Sequence, residues 1–263
     1  MPEDTAAEIR PPPSAGAPPA FARPRWDIID AASVVCLDAG ALGLGAWIAR
    51  DLVRPVSPVG GALVLALVRP LVVLPVLLYM IRRWWDVRAA DLGARRPDAG
   101  SWRWFLKFAL LMGAGYAALL GILVLVARGR LDATWLARAG ESMHARVSFP
   151  TILPNALAML VVAPLVEEPV FRGILQPALR ARLGRLGAVF ASAAIFAAMH
   201  LVWSWHLFPP WTQFLGGLIF AWSYERTGSL LHPMIFHSLG NAAILAWHLM
   251  VVHRPGWIEA VLL

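Results

Sequence analysis

Apolar stretches of about twenty residues recur along this chain, separated by short linkers rich in arginine, and that spacing narrows the fold more than any other feature. A run of that length crosses a bilayer as a helix. In hydrocarbon only helices and closed barrels satisfy every backbone N–H and C=O. With 59% of residues hydrophobic and 15% charged, no soluble catalytic domain is expected beside the bundle. The expected fold class is therefore all-α, a polytopic transmembrane helical bundle of about seven spans, within a range of roughly six to eight.

The runs place these spans near residues 30–49, 59–81, 103–127, 150–182, 187–205, 211–224 and 230–252. Residues 1–26 are rich in proline and alanine and are expected to form a disordered tail. Glu3, Asp4 and Glu8 stand where a signal peptide carries basic residues. The membrane domain is expected over 27–253, with its functional core near 150–250 and a short tail at 254–263. Tryptophans near segment ends, among them Trp84, Trp102 and Trp211, fit interfacial belts.

The net charge of +7 comes mostly from arginines scattered through the linkers, which reads as membrane topology rather than nucleic-acid binding. Placing the N-terminus in the cytoplasm collects the Arg82–Lys107 cluster with Arg180, Arg182, Arg185 and Arg226 on one side. Cys36 is alone, so no intramolecular disulfide forms. The sequence implies lipid bilayer as surroundings and fixes no oligomeric state.

Charged residues inside apolar runs are expensive, about 2.5 to 3.5 kcal/mol each on insertion scales, and therefore mark chemistry. Glu167 and Glu168 directly follow an apolar run, with Arg172 in the same stretch. Glu168 and Arg172 are four apart and share a helical face, whereas Glu167 points about 100° away. The expectation is a Glu168–Arg172 pair and an unpaired Glu167 suited to general-base work. A structural ion pair between helices explains one glutamate, not two.

Two further polar pairs at helical spacing follow, Phe196 with His200 and His237 with Asn241. Counting about 1.5 Å per residue from the linker at Gly184 puts Glu167 and His200 at matching depth. The same count from Gly228 leaves His237 and Asn241 shallower. Asp38 and Arg69 fall at similar depth in antiparallel spans and are expected to pair, with recognition of a substrate carboxylate as the other reading of Arg69. Gly113, Gly115, Gly121, Gly216 and Gly217 are expected to allow close helix packing. His232 and Pro233 open the last span, while His206, His248 and His253 lie away from the site.

The patterns Glu-Glu-x-x-x-Arg at 167–172, Phe-x-x-x-His at 196–200 and His-x-x-x-Asn at 237–241, in this order within apolar segments, resemble the CAAX-protease and bacteriocin-processing (CPBP, Abi) family of intramembrane endopeptidases. The stretch Arg226-Thr227-Gly228-Ser229-Leu230 adds to the likeness, which covers about 150–250. The resemblance implies a catalytic set of Glu167, Glu168, Arg172, His200, His237 and Asn241. In it Glu167, aided by His200, activates water, Glu168 and Arg172 support, and His237 and Asn241 stabilise the oxyanion. It also implies a membrane-tethered protein or peptide substrate, such as a prenylated CAAX tail, and a multi-pass location in a bacterial inner membrane. A metal-dependent form, with zinc or another divalent ion on Glu167, His200, His237 and Asn241, stays open beside the favoured cofactor-free form. So do a non-catalytic immunity or scaffold protein and a proton-coupled transporter.

Overall fold

The computed structural model describes residues 24–84, 86–127, 149–204 and 211–253. The expected tails, the polar connection at 128–148 and the stretch with His206 lie wholly or largely outside these residues. Among the described residues there are helices and no strands. The first helix, α1 (Ile28–Trp47), starts where the Asp27 carboxylate accepts from the backbone N–H groups of Ile29 and Asp30, and it continues through a π turn, Ile48–Val53. α2 (Pro58–Tyr79) is capped by Ser57 and opened by Pro58. α3 (Ala99–Ala127) begins beside Asp98, whose carboxyl is held below the usual carboxylate range by the backbone N–H of Ser101.

From Phe149 the chain is helical to Ser204 except at Gly184, where φ 70 and ψ −175 break the direction. α4 thus covers 149–183 and α5 covers 185–204, the division expected from the sequence. Pro164 and Pro169 lack the N–H that an α-helix needs, and two π turns, Ala158–Val162 and Pro169–Leu175, flank the Glu167–Glu168 pair. The last helices are α6 (Trp211–Thr227) and α7 (Leu231–His253).

α4 is the centre of the molecule. It is buried without interruption from Val170 to Leu179, and Trp26, just ahead of α1, donates from Nε1 to the Ile174 carbonyl at 2.9 Å. On the opposite side Gly217 of α6 lies so close to α5 that an added Cβ would stand 3.1 Å from Ala193 Cα. The expected role of Gly217 in close packing is therefore seen, whereas a Cβ at Gly113 or Gly115 would meet nothing within 4 Å.

Two helices, Ile28–Val53 and Pro58–Arg83, are long and apolar enough among the described residues to cross a membrane. Large apolar side chains such as Leu71 and Leu110 stand outward on α2 and α3, as they do in a protein surrounded by lipid.

The segment 86–98 folds over the α6–α7 turn and fastens it. Leu230 N donates to the Gly93 carbonyl at 2.8 Å, Tyr224 Oη to Leu92 O at 3.0 Å, Arg95 Nε to Gly228 O at 2.9 Å, and Ser229 Oγ to Arg95 O at 2.9 Å. Residues 227–230 are consequently buried, whereas 181–184 at the α4–α5 bend are exposed.

Candidate active site

Six helices, all those described except α3, line a cavity of about 990 Å³. Its floor carries Arg69, Glu167, His200 and His237, its wall small residues of α1 and α7 such as Gly43 and Gly240, and its rim Arg50, Arg54 and Gln213. Asn241 also lines it.

Every motif residue except His200 and Asn241 is buried. The Glu168–Arg172 pair forms as the spacing predicts, with Arg172 Nε 3.3 Å from Glu168 Oε2 and Nη1 3.4 Å from Oε1. Arg172 also donates from Nη2 to the Gly217 carbonyl at 3.2 Å, and its guanidinium centre sits 4.6 Å from the Phe196 ring centroid. Phe196 of the second motif therefore packs on the arginine of the first.

Glu167, expected unpaired, accepts from Arg69 Nη1 at 2.5 Å through Oε1. Arg69 also holds Asp38, the partner the sequence assigned to it, from Nε at 2.7 Å and Nη2 at 2.5 Å. The sequence pointed to the Asp38–Arg69 pair but not to its link with Glu167. A guanidinium presents five donors, so one pairing does not exhaust it.

His237 lies at the depth of the glutamates, not above them. Its Nδ1 is 2.7 Å from Glu168 Oε1, and its Nε2 is 3.7 Å from Glu167 Oε2. The depth count from Gly228 fell short because that turn is sunk beneath the 86–98 segment rather than lying at the surface. His237 stacks on Phe220, with ring centroids 4.8 Å apart and planes inclined by 15°. Asn241, one helical turn on, donates from Nδ2 to Met159 O at 2.7 Å, and Ser238 Oγ donates to Leu160 O at 2.7 Å. Both carbonyls belong to the first π turn of α4. His200 Nδ1 lies 2.8 Å from the Phe196 carbonyl in its own helix, and the ring borders the cavity.

The buried polar cluster counts three carboxylates, Asp38, Glu167 and Glu168, against two guanidiniums, Arg69 and Arg172. Glu167 and His237 face each other within it. Glu167 Oε2 has no hydrogen-bond partner among the described residues. The arrangement thus places a carboxylate oxygen and an imidazole nitrogen side by side on two residues that line the cavity, the pairing of groups that general acid–base chemistry uses. As metal donors, Glu167 Oε2 and His237 Nε2 make two, where a zinc site takes three or four protein ligands. Among the described residues no three His, Cys, Asp or Glu side chains gather as such a set.

Sequence reading missed a fourth buried acid, Glu225, which sits 3.1 Å from Arg180 Nε and 3.4 Å from Arg185 Nε and accepts from Gln176 Nε2 at 3.3 Å. Its signal was a lone acid in the last turn of an apolar helix.

Residues 149–243 match the family described as type II CAAX prenyl endopeptidase Rce1-like. The chain is also 28% identical over 163 residues to an Escherichia coli protein described as an uncharacterized 24.3 kDa protein, covering 61% of this chain and 69% of that one. No solved structure matches. The matched segment contains Glu167, Glu168, Arg172, His200, His237 and Asn241, and of these Glu167, His200, His237 and Asn241 line the cavity, so this part of the chain is similar to the type II CAAX prenyl endopeptidases.

Proposed function

We propose that this protein is an intramembrane endopeptidase that hydrolyses peptide bonds of membrane-associated proteins or peptides with a water activated by Glu167. The observation that carries this reading is Glu167 Oε2, unpartnered and buried, facing His237 Nε2 at 3.7 Å beside a large cavity within the family segment.

In the proposed reaction Glu167 takes a proton from the water as its oxygen bonds to the peptide carbonyl carbon. The tetrahedral oxyanion then collapses, the C–N bond breaks, and the amine leaves with the proton that Glu167 returns. His237 and His200 are the imidazoles bordering the reacting atoms. Asn241 retains a second N–H beyond the one on Met159 O, and it is the neutral donor for the oxyanion. Glu168 and Arg172 orient His237. A Glu-His-His metal set would occupy Glu167 and leave no separate base, which favours the glutamate-dependent form. Seven spans, a cytoplasmic N-terminus and residence in a bacterial inner membrane complete the proposal.

The test compares membrane proteomes of cells carrying the wild-type protein and Glu167→Gln. A precursor should accumulate with the variant and disappear with the wild type. If the two proteomes coincide under conditions where the protein is expressed, the reading fails. Loss of processing on chelation, restored by zinc, would replace the metal-free mechanism with the metal-dependent one.

A further inference from the structure

Asp38 and Arg69 lie on α1 and α2, outside the segment 149–243 that carries the family match, and yet they reach its first glutamate. All three side chains are buried. Arg69 places Nε and Nη2 on the two oxygens of Asp38 and turns Nη1 to Glu167 Oε1. The guanidinium is a rigid planar fork, so once two of its nitrogens are fixed on one carboxylate, covalent geometry fixes the direction of the third. Asp38 therefore sets the angle at which Glu167 is held.

A pair that served only to join α1 to α2 would need no third contact. The one present reaches α4, 98 residues along the chain from Arg69, at a residue that lines the cavity. Rotation of the Glu167 carboxylate about its last torsion is soft. With Oε1 tied to Arg69, Oε2 is left turned toward His237 Nε2.

We propose that Arg69, held in place by Asp38, is a positioning residue for Glu167. It anchors one carboxylate oxygen so that the other stays aimed at His237. The inference rests on reading Glu167 as the group that works on water. It adds that the aim of this group is supplied by the N-terminal pair of helices. Lysine keeps the charge of Arg69 but not its fork, so Arg69→Lys separates orientation from simple charge balance.

The full-length protein in detergent is treated with dicyclohexylcarbodiimide, which modifies carboxyl groups in apolar sites when they are not held in an ion pair, and the label on Glu167 is read by peptide mass spectrometry. Glu167 should be protected in the wild type, labelled roughly tenfold more in Arg69→Met, and intermediate in Asp38→Asn and Arg69→Lys. The latter two keep a polar group at each site, and gel filtration verifies that they remain folded. Equal labelling in the wild type and all three variants would overturn the proposal.

The second arm follows cleavage of a farnesylated, internally quenched CAAX peptide. Asp38→Asn and Arg69→Lys should lower kcat roughly a hundredfold and leave KM unchanged, the mark of misaligned chemistry. A raised KM at constant kcat would instead make Arg69 a substrate contact and overturn the positioning role. A wild-type protein that protects Glu167 but cleaves nothing counts against the protease reading and for the clamp.

Discussion

Arg172 shows how one residue is made indispensable by what surrounds it. It is fully buried, rests against Phe196 and Phe220, and shares Glu168 with His237. Removing one member of a buried ion pair strands the other, at about 3 to 5 kcal/mol. Arg172→Met should therefore lower unfolding stability by that amount in a denaturant titration, and Glu168→Gln on the same background should recover most of it. An unchanged midpoint for Arg172→Met would contradict the geometry. The Glu168–Arg172 contact was legible in the sequence because both residues sit on one helix, where spacing alone sets neighbourhood. The Arg69–Glu167 and His237–Glu168 contacts join different helices, and no spacing rule reports which faces two helices turn to each other.

At the scale of elements, the segment 86–98 controls the placement of α7 and with it His237. Gly93 has φ 93, and a Cβ there would lie 2.6 Å from Tyr224 Cε2 and 3.0 Å from the Gly228 carbonyl oxygen. Gly93→Ala should destabilise the protein by about 1 to 3 kcal/mol, through the left-handed backbone and the clash together. A thermal melt in detergent reads this, and cleavage should fall with it as α7 shifts. Gly113→Ala, with nothing near its Cβ, serves as the control and should leave the melt unchanged or slightly raised. Helix positions were legible because apolar runs are bounded by Pro, Gly and Arg. The depth of the α6–α7 turn was not, since a sequence shows that a linker is polar but not that another linker covers it.

Over the whole molecule, the cavity is a joint product of both halves, with α1 and α2 forming one wall and α4 to α7 the rest. Gly43 and Gly240 border it with open space where a side chain would stand. Gly43→Phe and Gly240→Phe should block substrate, since a Cβ at either position meets nothing within 4 Å and a larger side chain there takes up space in the cavity. Retained cleavage in both would move the substrate path elsewhere. The Asp38–Arg69 pair also bears on how such a chain enters a bilayer. The first two helices emerge from the ribosome before α4 exists, and as a hairpin they carry one buried acid and one buried base that neutralise each other. The later helix brings two buried acids and one buried arginine, and the surplus acid finds an Arg69 N–H already at depth. Order of synthesis and charge balance therefore agree: the membrane receives a self-neutralised hairpin first, and that hairpin then serves as the counter-ion that lets the glutamate-bearing helix settle.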